Sequence, residues 1–129
     1  VGPDGPRLLD AECAWYGDPA FDVAFCLNHL LLKCVWQPAT TLDFLTSFDA
    51  FATETLAGVR WEPAADLEAR SAALLAGMLL ARIDGKSPVE YITDDGAKDR
   101  VRHFARRFVA QPATRLADIR NAWFEEWRL

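Results

Sequence analysis

Residues 7–25 read "RLLDAECAWYGDPAFDVAF", and the way this stretch is divided decides the fold. Four carboxylates, Asp10, Glu12, Asp18 and Asp22, stand among residues that otherwise favour burial. A buried carboxylate is costly unless a cation or backbone donors meet it. The stretch divides at Gly17. Ahead of it, "RLLDAE" has the pattern of a short strand that ends at Asp10, with Glu12 two residues on and on the same side of an extended chain. A lone strand is not stable, and this one has no evident mate in the chain. Beyond Gly17, Asp18-Pro19 reads as an N-cap and first helical residue. Asp22 falls in the first turn of that helix, where free N–H groups and the helix dipole favour a negative charge.

Working outward, the helix over about 19–36 is apolar almost all the way round, through Phe21, Val23, Phe25, Leu27, Leu30, Leu31, Leu32, Val35 and Trp36. Such a helix is expected at the centre of a helical domain. "QPATT" breaks the chain, and Thr40 or Thr41 is expected to cap a second helix to about Ala57, with Phe44, Phe48 and Phe51 on one face and Gly58 closing it. Pro63 opens a third helix to about Ile83, with Leu67, Leu74, Leu75, Met78 and Leu79 as its stripe and Gly85 after its end. "DGKSPVEYI" is a connecting loop. A fourth helix runs over about 95–110 with Val101, Phe104, Ala105 and Phe108 inward, and Thr114 caps a last one in which Leu116, Ile119, Trp123 and Trp127 recur at helical spacing. The expected class is mainly α, with a short β entrance at the amino end.

Bulk properties narrow the function. The 129 residues suit one domain or one lobe of a larger one, and 51% hydrophobic with 12% aromatic content supports a packed core. A net charge of -5 argues against an electrostatic nucleic-acid binder, so the arginines of "RVRHFARR" read as a solvated helix face. No signal peptide is visible, and no apolar run is long enough to span a bilayer. Cys13, Cys26 and Cys34 cannot all pair internally; on one helix Cys26 and Cys34 stand about 12 Å apart, beyond disulfide reach. Reduced thiols and a cytoplasmic protein are the simplest reading. Cys13, Cys26, His29 and Cys34 lack the tight ligand pairs on turns that structural zinc sites use. The first residue is Val and the only Met is Met78, so a piece of a longer chain is expected.

Asp10 and Glu12, at a strand exit, suit a hard cation such as Mg²⁺, which takes one or two carboxylates plus phosphate oxygens. With Asp10-Ala11-Glu12 followed by Gly17-Asp18-Pro19-Ala20-Phe21-Asp22-Val23-Ala24, the chain resembles the carboxyl-terminal part of the aminoglycoside phosphotransferase and choline kinase superfamily. "LLARIDGKSPVEYI", residues 79–92, is also similar to a stretch common in such kinases. The resemblance covers residues 1–129, which would form the helical, substrate-side lobe of a protein-kinase-like fold. It implies an ATP-dependent kinase acting on a hydroxyl of a small molecule. Asp10 would be the Mg²⁺-binding aspartate, Glu12 an acidic neighbour of the metal, and Asp22 the helix aspartate that orders the catalytic loop. Trp15 and Tyr16 are the expected acceptor-pocket residues, with Arg82, Asp84 and Glu90 as further candidates.

The rest of such an enzyme is not in these residues. Neither His29 nor His103 sits in an H-x-D-x-x-x-x-N loop, no Gly-rich loop occurs, and Lys33, Lys86 and Lys98 are not on a strand that could reach phosphates. The nucleotide lobe and catalytic base are therefore expected ahead of Val1, and the chain alone is expected to be inactive. The other reading is a non-catalytic helical binding module or pseudokinase remnant.

Overall fold

Asp18 starts the first helix by side-chain chemistry. In the computed structural model, which describes Gly5, Ala14 and residues 16–127, its Oδ1 accepts a hydrogen bond from the Ala20 N–H at 2.9 Å. Its carbonyl accepts from the Phe21 N–H at 3.0 Å. Helix α1 then runs Ala20–Trp36, and a 3₁₀ turn over Pro38–Thr40 leads into α2, Thr41–Gly58. The hydroxyls expected to cap α2 do other work: Thr40 Oγ1 donates back to the Gln37 carbonyl at 3.1 Å and Thr41 Oγ1 to the Cys34 carbonyl at 3.5 Å. Phe48 is buried, and Phe44 and Phe51 pack against the core from its edge.

Pro63 directly precedes α3, Ala64–Asp84, whose Leu67, Ser71, Ala72, Leu75, Ala76, Leu79 and Ile83 are buried. Leu74, expected on that stripe, lies one position off it and is 39% exposed. The chain leaves α3 so tightly at Gly85 that an added Cβ would stand 2.3 Å from the Ala81 carbonyl oxygen, closer than any side chain tolerates. A loop follows, tied down by the Val89 N–H on the Arg82 carbonyl at 2.8 Å and by burial of Val89 and Ile92. Asp94 caps α4, Asp95–Ala110, by accepting from the Ala97 N–H at 2.7 Å. Helix α5, Leu116–Trp127, takes its N-terminal acceptor from another helix: the Leu116 N–H donates to Glu68 Oε1 of α3 at 2.9 Å, in place of the expected Thr114 cap.

The pair α1 and α3 forms the axis of the bundle, with α2 against α1, α4 against α3, and α5 touching all four. Small residues are buried along both of these helices, Ala20 and Ala24 on α1 and Ser71, Ala72 and Ala76 on α3 all being fully buried. The Ser71 hydroxyl is satisfied within its own helix by the Leu67 carbonyl at 2.8 Å. The chain is thus mainly α. No strand occurs among the described residues; the expected β entrance falls on residues 7–12, outside them.

One expectation about α1 changes. Its sequence suggests burial on every side, yet Phe21, Phe25 and Trp36 are 52%, 42% and 46% exposed. Its neighbours among the described residues cover one side only, the one carrying Ala20, Val23, Ala24, Leu27 and Leu31.

The start of α1 is fastened to α3 by Arg70, whose Nε stands 2.9 Å from Asp18 Oδ2 and whose Nη1 stands 2.8 Å from Glu62 Oε2. Arg70 holds both carboxyls below their ordinary values of 3.8 and 4.5, with the Ala20 N–H adding to the effect at Asp18 and the Trp61 indole to that at Glu62. A carboxyl with a depressed folded-state pKa contributes stability above its unfolded pKa and loses that contribution as pH falls through the folded value. Thermal stability is therefore expected to hold down to about pH 5 and to decline below about pH 4. Arg70→Gln should flatten part of that acid limb while changing the melting temperature near pH 7 only slightly, because the network is exposed. Equal acid slopes in the two proteins would show that the network does not govern this decline.

Candidate functional site

The structure locates the sequence-derived site residues unevenly. Asp10, Glu12 and Trp15 lie outside the described residues. Tyr16 is described and fully exposed. Asp22 is exposed in the first turn of α1. Among the described residues no group of three or more His, Cys, Asp and Glu could hold a metal ion. Cys34 is buried, its thiol donating to the Leu30 carbonyl at 3.3 Å. Burial pushes that thiol up to about 11, so it stays protonated at neutral pH.

The uncovered side of α1 carries more chemistry than the sequence reading gave it. Phe21 stacks on Phe25 at 6.0 Å, and Phe25 meets His29 edge-on at 4.9 Å. One turn further, the Lys33 ammonium lies over the rings of Trp36 at 5.1 Å and Tyr91 at 5.5 Å, with those two rings 5.3 Å apart. Burial holds the His29 imidazole below its ordinary value of 6.5, and the positive charges of Arg82 and Lys33 lower it further. His29 is therefore neutral at pH 7. The same burial raises the Tyr91 phenol, against a smaller opposing effect of Arg82. Among the described residues the Tyr91 hydroxyl and both amide atoms of the fully buried Asn28 find no hydrogen-bond partner.

This side of α1 runs into two open clefts around the loop between α3 and α4. The larger, about 460 Å³, is lined by Arg82, Ile83, Val89, Glu90, Thr93 and Lys98, among others. The smaller, about 330 Å³, is lined by Val35, Trp36, Tyr91, Asp94 and Ala97, and shares Ile92 and Thr93 with its neighbour. Of the three further acceptor candidates, Arg82 and Glu90 meet here and Asp84 does not. Asp84 is held by Arg102, at 2.7 Å from Nη2 and 3.0 Å from Nε, and that ion pair ties the end of α3 to α4. His29, Lys33, Tyr91, Thr93 and Lys98 join the neighbourhood without having been singled out for it. A partial signal existed in "HLLLK", which places His29 and Lys33 one turn apart on α1; Thr93 and Lys98 carry no local signal, because only the packing of α4 on α3 brings them in.

Three of the four arginines of α4 are engaged within the chain. Arg100 bonds Glu126 and covers the Trp127 ring at 4.4 Å. Arg102 pairs with Asp84 and Asp99, and Arg107 lies over Phe104 and Phe108 at 5.1 Å. No helix among the described residues is long and apolar enough to cross a membrane. Compared with family models, with curated proteins and with solved structures, the chain matches none.

Proposed function

We propose that these residues are the helical, carboxyl-terminal part of an ATP-dependent phosphotransferase that phosphorylates a hydroxyl of a small molecule. The observation that carries the reading is the outward side of α1. A helix packed on one side by α2 and α3 keeps Phe21 and Phe25 exposed on the other, with Asp22 exposed in its first turn just after the Asp10–Glu12 block. A second layer seated on that side would cover the rings, and backbone N–H groups of a catalytic loop would meet the Asp22 carboxylate. The capped, Arg70-fastened turn at Asp18 fixes where that carboxylate stands.

In the intact enzyme Asp10, with Glu12 beside it, would hold Mg²⁺, which neutralises phosphate charge during transfer. The residues of this chain bind and orient: Asp22 positions the loop that carries the base, and Trp15, Tyr16 and the α1 side contribute to the acceptor pocket. The base and the phosphate-binding loop would come from chain ahead of Val1, and the acceptor is a small molecule rather than nucleic acid or membrane.

The test uses the protein encoded with its natural sequence upstream of Val1. ATP binding is titrated with and without Mg²⁺, and phosphate transfer is followed to a panel of small hydroxyl compounds. Mg²⁺-dependent binding together with transfer is the expected result. Binding indifferent to Mg²⁺, with no transfer to any acceptor, would favour a non-catalytic helical binding module or pseudokinase remnant.

A further inference from the structure

The larger cleft has the makings of an anion site, and the case begins with Arg82. This half-buried guanidinium has one nitrogen committed, Nη1 donating to the Ser87 carbonyl at 2.6 Å, while its buried Nε has no partner among the described residues. Among the described residues no carboxylate pairs with it. A buried or half-buried charge without a counter-charge is costly, and an arriving anion would lift that cost. The field of Arg82 is felt in its surroundings, since it lowers both the His29 imidazole and the Tyr91 phenol.

Lys98 lines the same cleft from α4, and its one ion pair is a 3.4 Å contact with the exposed Asp95. Thr93 adds a hydroxyl. Glu90 stands on the rim, exposed, and among the described residues it forms an ion pair with neither cation. The floor is apolar, made by Ile83, Val89 and Ile92, each less than a tenth exposed. A guanidinium, an ammonium and a hydroxyl above an apolar floor suit a ligand with an anionic head and a short carbon body.

We propose that this cleft binds a small organic oxyanion, a phosphate monoester or a carboxylate, with its charged head at Arg82 and Lys98 and its carbon body on Ile83, Val89 and Ile92. The site belongs to this chain and does not rest on the phosphotransferase reading, so either can fail without the other.

Amide spectra of the 129-residue chain, titrated separately with methyl phosphate and with propionate, test it. Saturable shifts confined to the loop between α3 and α4 and the first turns of α4 are expected for at least one of them, and the tighter of the two separates ester from carboxylate. Arg82→Gln should weaken binding about tenfold or more. Lys98→Gln, at a less buried position that tolerates change, should weaken it about threefold and serves if the Arg82 variant folds poorly. Absence of saturable shifts with both anions up to about 20 mM, or unchanged affinity in a folded variant, would overturn the proposal.

Discussion

Trp123→Ala is expected to lower the unfolding free energy by about 3–5 kcal/mol. Trp123 is fully buried and stands on α5, the helix that touches all the others. Its ring meets Phe104 of α4 edge-on at 4.8 Å and Trp127 at 5.4 Å. Among the described residues its indole N–H has no hydrogen-bond partner of normal geometry, although it lies close enough to the Cys34 thiol to pull that group down slightly against the much larger effect of burial. Truncation would therefore forfeit apolar burial and edge-to-face packing without giving up a strong hydrogen bond, and would leave a cavity where four helices converge. Against the usual stability of about 5–15 kcal/mol, such a loss removes a large fraction of the total. Urea unfolding measures it: the midpoint should fall by more than about 1 M, with Trp123→Phe losing distinctly less. A midpoint unchanged by the alanine variant would mean that α5 is not part of the cooperative core.

The helices were legible because their ends are punctuated by residues with one local use. Asp18-Pro19, Pro63 and Gly85 each mark a boundary through capping chemistry or through a missing N–H or Cβ, and the structure places helix ends at each of them. What did not show was which side of a helix is covered. Phe21 and Phe25 are as apolar as Leu27 and Leu31, and only the partners of α1 decide between them. Ala20 and Ala24 on α1 and Ser71, Ala72 and Ala76 on α3 are fully buried, yet their weak hydropathy adds little to any stripe that could be read. The acceptor at the start of α5 was hidden for a related reason: Glu68 is 48 residues away, whereas Thr114 was merely near. The clefts around the loop between α3 and α4 were least legible, because Arg82 and Lys98 of the larger one come together from two separate helices. Among the candidates, Asp84 proves to be an ion-pair residue, while Arg82 and Glu90 line the larger cleft.

The second large effect is expected at Asp10, in the protein with its natural upstream sequence. On the phosphotransferase reading, Asp10→Asn keeps the size of the side chain and removes the charge that fixes Mg²⁺ against the nucleotide phosphates. Phosphoryl transfer relies on positioning and charge neutralisation more than on covalent chemistry, so one lost anionic ligand should lower kcat about 10³-fold, which corresponds to about 4 kcal/mol of barrier. Glu12→Gln, beside the metal rather than at its centre, should lose less. Asp22→Asn supplies the contrast that separates a metal ligand from a positioning residue. In residues 1–129 its carboxylate is exposed in the first turn of α1, so there the substitution should alter stability by less than about 1 kcal/mol, while in the longer protein its effect on turnover should not respond to added Mg²⁺. The Asp10 variant, in contrast, should recover part of its activity as Mg²⁺ is raised, because weaker binding of the ion is its defect. Wild-type-like turnover by Asp10→Asn would sink the assignment of Asp10 as a metal ligand and with it the strongest reason for reading the block "LDAE" as part of a kinase.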